Sequence, residues 1–191
     1  VKYMVQNSLG RQWLATYPDS PLKAKMDYYI KPAEQTDEVK AQFAAITPDS
    51  LDPEKMTLLD PASGSGHILV EAYDIFKEIY LERGYSSRDF PRLILEKNLF
   101  GLDIDERAAQ MAGFALLMKA RKDDRRILRS DNPVKMNVMA IQESVDISVE
   151  NSHWGEHTNA IHDLVDLFKH GKTFGSLIQV PSRLAAELPA I

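Results

Sequence analysis

The sequence predicts an α/β domain on a partial parallel sheet, with helices ahead of it. Three observations carry that expectation. The apolar run Leu58-Leu59 ends in Asp60 and turns through Pro61-Ala62-Ser63-Gly64-Ser65-Gly66 into an amphipathic helix. A second run, Leu99-Phe100-Gly101-Leu102, also closes on an acid, Asp103. Strand-like and helical spacings then alternate, an order that favours parallel strands joined by right-handed crossovers.

Apolar residues at 1, 4, 5 and 9 have helical spacing. Leu9-Gly10 resembles a helix end, with Trp13-Leu14 as a short continuation. Residues 17–36 hold Pro18, Pro21 and Pro32 and read as irregular, because each proline removes a backbone donor and fixes φ. A helix is expected over 34–46, using Val39, Phe43, Ala44 and Ile46, followed by a turn-rich linker over 47–53. Residues 1–55 are thus expected to be a helical and irregular segment packing on the core, and residues 56–191 the α/β domain.

In that domain 56–60 reads as a strand. Residues 66–83 read as a helix with Leu69, Ala72, Tyr73, Phe76, Ile79 and Tyr80 on one face, stopped by Gly84. A short helix from Pro91 to Glu96 uses proline where the missing N–H does no harm. A strand at 98–103, a helix at 105–121 opened by Asp105 as its cap, and a strand at 137–142 follow. Residues 143–156 read as a polar loop. A helix over 157–170 places Ile161, Leu164, Val165 and Phe168 on one side, and Phe174–Pro181 reads as a last extended piece. Met111, Phe114, Leu117 and Met118 have helical spacing and are expected in the core.

Composition bounds the function. With 191 residues, 44% hydrophobic, the chain is long enough to bury a real core. It has no cysteine, which excludes disulfides and thiolate metal sites. No apolar run approaches the ~18 residues of a membrane span and no signal-peptide pattern opens the chain, so a cytoplasmic protein without a membrane partner is expected. A net charge of −5 gives no general attraction to nucleic acid.

Gly64 and Gly66 bracket a turn where a side chain would block a ligand or force an unfavourable φ. The helix that follows aims N–H groups at the same space. A dinucleotide fingerprint needs a third glycine at position 69, where this chain has Leu69, and a phosphate-binding loop needs Gly-Lys-Ser/Thr, where it has Gly66-His67-Ile68. Asp60 at the strand end argues against a pyrophosphate and suits a cationic or amine-bearing ligand. S-adenosyl-L-methionine fits, with its ammonium, its sulfonium and a ribose that wants an acid acceptor. Asp103 is the natural acceptor for that diol, because one carboxylate can take two hydroxyl donors. The interval from Gly66 to Asp103 exceeds the ~20 residues of a simple unit, and the helix after Pro91 accounts for the excess. Ile104 would flank the adenine ring and Glu143 would accept from its amino group. The bland alternatives are a glycine turn that binds nothing and acids that only cap a helix.

Asp60–Leu69, taken with Gly101–Ala109, resembles motifs I and II of the adenine-N6 DNA methyltransferases, usually Asp-Pro-Ala-Cys-Gly-Ser-Gly and Gly-x-Asp-Ile-Asp. Ser63 stands where cysteine is common, a small-for-small change. Tyr3–Gly10 and Phe174–Ile178 are similar to the PglX-like methyltransferases of BREX phage-defence systems and to methylase subunits of type II restriction enzymes. The resemblance implies a Rossmann-like class I S-adenosylmethionine-dependent methyltransferase core. In it, Asp60, Pro61, Ala62, Ser63, Gly64, Ser65, Gly66, Asp103, Ile104 and Glu143 would bind the cofactor. It also implies DNA as the partner, held by regions of a parent protein outside these residues, and further defence-system subunits.

The family's catalytic Asn/Asp-Pro-Pro-Tyr/Phe does not occur here: the ten prolines are never paired, and Asp131-Asn132-Pro133-Val134 lacks the second proline and the aromatic. The usual Thr-Pro element is expected just before the first helix. In the family the Asn/Asp-Pro-Pro-Tyr/Phe loop accepts from the exocyclic amine of a flipped adenine and stacks the base. The expectation is therefore a cofactor-binding fragment with no catalytic residue of its own, inactive alone. An RNA or protein methyltransferase region is the second reading. A non-enzymatic α/β scaffold is the third, and an NAD-dependent oxidoreductase suits Leu69 poorly.

His153 and His157 flank Glu156 but in the wrong order for a zinc helix, and no metal is expected. Lys119, Arg121, Lys122, Arg125, Arg126 and Arg129 form a basic run. It reads first as a solvated helix end complementing its dipole, and second as a contact to DNA phosphates.

Overall fold

The computed structural model describes residues 1–129, 131–147 and 157–187. The chain forms two compact units, Val1–Met139 and Ala140–Ile191. Sequence reading draws its boundary at 55–56 instead.

The first unit opens with α1 (Lys2–Val5), a looser π-type stretch (Gln6–Gly10) and α2 (Arg11–Thr16), one after another with helical backbone at Gly10. The helix end expected at Leu9-Gly10 is absent. Gly10 does not terminate; a Cβ there would collide with Met26 Sδ, so the glycine admits the following chain. The irregular segment behind it is pinned by side chains. Gln6 Oε1 accepts from Tyr28 N–H at 2.7 Å, while Asn7 donates to Tyr28 O at 2.7 Å and accepts from Ile30 N–H at 2.9 Å. Helix α3 (Asp37–Ile46) falls inside its expected span, but none of its residues is buried.

Strand β1 (Leu58–Asp60) leads into α4 (His67–Glu82), and all six residues expected on its inner face are fully buried. Gly84, at φ +80°, follows the helix end, its N–H donating to Leu81 O. Helix α5 (Phe90–Leu93) and the turn after it deliver β2 (Leu99–Asp103), which pairs in parallel with β1 through Leu58↔Leu99, Leu59↔Phe100 and Asp60↔Gly101. The sheet order is β1-β2-β3.

Asn98 sets the start of β2. Its amide is fully buried and donates to Pro53 O and Met56 O, both at 2.7 Å, while its Oδ1 accepts from Tyr80 O–H at 2.9 Å. One side chain thereby joins the entry to β1, the entry to β2 and helix α4. Burial and the neighbouring Glu54 and Tyr85 push the Tyr80 phenol well above its ordinary range, so it remains a donor.

The first 55 residues share this core. Val5, Leu9, Trp13, Leu14, Leu22 and Met26 are buried in one cluster with the α4 face. Trp13 Nε1 donates to Ser20 Oγ at 3.2 Å and Glu82 Oε2 at 3.1 Å, and Arg83 lies over the Tyr17 ring at 3.9 Å.

Helix α6 (Glu106–Asp123) begins at Asp105, whose side chain accepts from Arg107 N–H at 2.9 Å, as expected of that cap. Its buried stripe is Ala109, Ala112, Gly113, Leu116 and Ala120. The expectation that Met111, Phe114, Leu117 and Met118 form core holds only in part: Met111 is 62% and Phe114 65% exposed, Met118 is half-buried, and half-buried Leu117 packs against the core. The reason is distance. Gly66 approaches Ala112 so closely that only a small side chain fits at that point of the face, and Leu116 fills the stripe one turn further on.

Strand β3 (Asn137–Ala140) is shorter than the expected 137–142. In the second unit the chain at 141–144 packs on a helical turn: a Cβ at Gly171 would lie 3.2 Å from Ile141 Cγ2 and 3.3 Å from Phe168 Cδ1, and Ser144 N–H donates to Phe168 O at 3.3 Å. Helix α7 (Thr158–Phe168) has its expected apolar side half-buried. The extended piece expected over Phe174–Pro181 is not a strand. Phe174 closes α8 (Gly171–Phe174), Gly175 turns at φ +48°, and a 3₁₀ turn carries the chain to Leu177. A final helix, α9, spans Ser182–Glu187.

Candidate functional site

The carboxyl ends of β1 and β2 meet in a hydrogen-bonded knot. Asp60 is the last residue of β1 and is buried, with Oδ1 accepting from Ala62 N–H at 3.3 Å. The chain then turns back over β2: Ser63 N–H donates to Leu102 O at 2.8 Å, and Gly66 N–H donates to Ser63 O at 2.8 Å. Gly64 N–H reaches the acid of the second strand, donating to Asp103 Oδ2 at 2.7 Å. Both strand-end carboxylates therefore border the same glycine turn.

Asp103 is held from two sides, since Oδ1 accepts from Asp105 N–H at 2.9 Å. Those donors, Asp105 first and Gly64 second, hold its carboxyl below the usual carboxylate range against a small opposing effect of burial. A carboxylate offers about four lone-pair positions. Gly64 and Asp105 take one position on each oxygen and Ile104 N–H adds a weaker interaction, so lone-pair positions remain for further donors. The spacing of two such acceptors on one carboxylate suits a vicinal diol.

The two glycines differ in what they permit. Gly64 has φ +50° and nothing within 4 Å of a built Cβ, so its backbone lies open to a ligand. Gly66 has φ +83°, and a Cβ there would lie 2.8 Å from Ala112 Cβ and 3.0 Å from Ala112 Cα. Gly66 is the N-cap of α4, and among the described residues no side chain caps that end and no acid lies in its first turn, which leaves its dipole and first N–H groups facing the turn. Gly101 has a packing role the sequence did not signal: a Cβ there would lie 2.8 Å from Leu69 Cδ1 and 3.3 Å from Ser63.

A cavity of about 430 Å³ opens beside Asp60 and Pro61 under the N-terminal helices, with Val5, Leu9 and Ile68 as apolar wall and Ser8 and Gln12 as polar wall. Pro61, Ala62 and Ile104 are exposed, and Ser65 Oγ lies 3.0 Å from His67 Nδ1. Glu143 lies in the second unit just past β3 and is exposed.

Ser63 Oγ is buried with no hydrogen-bond partner among the described residues. Such a hydroxyl has lost its water without replacement. Ser63→Ala is expected to leave stability unchanged or raise it by up to about 1 kcal/mol in urea melts. A loss of stability would show that the hydroxyl has a partner.

Among the described residues no group of three or more His, Asp or Glu could hold a metal ion. His153 and Glu156 lie outside the described residues. No helix among the described residues is long and apolar enough to cross a membrane.

This strand-end turn is seated in a domain of known class: residues 49–166 match the family model of the MmeI DNA-methyltransferase domain, and the chain belongs to that family. Among curated proteins it is 54% identical to the adenine-specific methyltransferase BrxX of Escherichia coli O9:H4 (strain HS), covering 100% of this chain and 18% of that protein. It is 36% identical to the adenine-specific methyltransferase PglX of Lacticaseibacillus casei (strain Zhang), covering 96% of this chain and 16% of that protein. The chain thus spans under a fifth of either relative's length.

Proposed function

We propose that this chain is the S-adenosyl-L-methionine-binding region of an adenine-N6 DNA methyltransferase with a Rossmann-like class I core, serving in restriction–modification or phage defence. The observation that carries the reading is the Gly64–Asp103 bond. It ties the glycine turn to a carboxylate that is ionised, oriented and still able to accept two hydroxyls.

The residues fit the group. Asp103 would take the ribose diol, with exposed Ile104 as an apolar flank for the adenine ring. The cavity beside buried Asp60 would take the amino-acid end, and a buried carboxylate favours the ammonium and sulfonium charges there. Pro61, Ala62, Ser63, Ser65 and the paired glycines form the intervening wall. Once bound, the cofactor supplies a methyl group activated by the sulfonium; this chain's part is to bind and orient it.

The target would be the exocyclic amine of adenine in DNA. That nitrogen needs acceptors and alignment because its lone pair is conjugated with the ring. The Asn-Pro-Pro-Tyr type of loop that would supply them does not occur in these residues, so methylation is assigned to the parent protein and not to this chain alone. Further subunits of a defence system are proposed as partners, in the cytoplasm.

Calorimetry with S-adenosyl-L-methionine tests the cofactor reading. Saturable one-to-one binding is the expected result. A folded chain that gives no heat, including one extended by parent sequence ahead of Val1, would overturn it. The parent protein should also convert adenine to N6-methyladenine in duplex DNA, and methylation of RNA or protein instead would redirect the substrate assignment.

A further inference from the structure

A second cavity of about 430 Å³ lies where the loop after α4, helix α5 and the 3₁₀ turn after α6 (Arg125–Leu128) come together. The carboxyl ends of α4 and α6 feed it, whereas the glycine turn sits at their amino ends, so the two sites occupy opposite ends of the helix pair. Four arginines line it: Arg88, Arg92, Arg126 and Arg129.

Two of these guanidinium groups are fixed in place. Arg126 makes a fork on Asp124 through Nε at 2.9 Å and an amino group at 3.0 Å. Arg92 donates to Glu96 Oε1 at 2.7 Å and Asn132 O at 2.6 Å, with a longer contact to Pro133 O. A guanidinium carries five N–H donors, so each retains two or three beyond these bonds. Arg88 and Arg129 are exposed; neither makes a side-chain hydrogen bond among the described residues, although the Arg129 charge helps to hold the Asp124 carboxyl low. Asp89, Asp124 and Asp131 also line the cavity and temper its charge, although Asp124 is engaged by Arg126 and Asp89 already accepts from Ser86 Oγ at 2.6 Å.

We propose that this arginine cavity binds a phosphoryl group, either a backbone phosphate of nucleic acid or a free phosphate ester. Planar guanidinium forks match phosphate oxygens in pairs, and forks already oriented by carboxylates and carbonyls lose little freedom on binding. The site also accounts for part of the basic run. Lys119 is taken by Asp74, while Arg126 and Arg129 reach the cavity and the unpaired Arg88 joins them from another element. The proposal goes beyond the methyl-donor reading and does not depend on it.

The test compares the chain with R88Q/R129Q, two exposed positions outside the core and outside the glycine turn. Inorganic phosphate and a 20-base-pair duplex are titrated separately, the duplex over a range of salt. The double variant is expected to weaken binding at least ~10-fold and to lower the log–log salt slope for the duplex by about two. Loss in the duplex arm assigns a nucleic-acid backbone, and loss confined to inorganic phosphate assigns a free phosphoryl ligand. Equal binding by both proteins, or no binding of either probe, overturns the proposal. An unchanged melting temperature and unchanged S-adenosyl-L-methionine titration keep the result separate from folding and from the cofactor site.

Discussion

Gly66→Ala is expected to lower stability by about 2–5 kcal/mol and to abolish cofactor binding. Two effects add. A non-glycine residue held in the left-handed region costs about 1–2 kcal/mol, and position 66 has φ +83°. Forcing a methyl into a packed site costs about 1–3 kcal/mol more. The new carbon would meet both Cβ and Cα of Ala112, so relief requires moving the helix backbone of α6 and not rotating a side chain. Gly64→Ala is the matched control. It has φ +50° and open space around the Cβ, so only the conformational cost of about 1–2 kcal/mol applies. Urea melts of both variants should therefore separate by the packing contribution. Equal losses would mean that α4 and α6 do not approach each other closely at Gly66.

The same contact explains where sequence reading succeeds and where it stops. The turn itself was legible because its signals are local: a strand-end acid, two glycines and a helix with six apolar residues at the right spacing, all of them buried. The face of α6 was misread because apolar size was taken as the mark of the core. Close helix approach at Ala112 reverses that preference there, so Ala109, Ala112, Gly113 and Ala120 face inward with Leu116 as the one large member, while Met111 and Phe114 face water. The role of Asn98 was not legible for a different reason. Its partners, Pro53, Met56 and Tyr80, are distant in sequence, and a lone asparagine before an apolar run carries no periodic signal. Gln6 and Asn7 likewise hold residues 28–30 through long-range bonds that no local pattern announces. Local rules thus reached the turn, while the polar clamps that position it depend on which distant backbone groups need partners.

Asp103→Asn is expected to weaken S-adenosyl-L-methionine binding by about 10- to 100-fold, with a smaller loss of stability. The carboxylate has two separate tasks. Each oxygen accepts one backbone N–H, from Gly64 and from Asp105, and each is proposed to accept one ribose hydroxyl. Asparagine keeps one acceptor oxygen and sets an NH₂ donor against a backbone N–H on the other side. Losing one charged acceptor corresponds to about 1–3 kcal/mol, which is the stated affinity range. Asp103→Ala removes both acceptors and should bind more weakly still. The pH dependence follows from the same bonds. Because folding lowers the carboxyl pKa below its ordinary 3.8, this contribution to stability is fully present above that value and fades as pH falls through the folded-state pKa. Both variants should accordingly flatten the acid limb of the stability profile while leaving stability near neutral pH reduced by a constant amount. If Asp103→Asn bound cofactor as tightly as the parent chain, the diol would have another acceptor, and the Gly64–Asp103 bond would be a purely structural tie between the two strands.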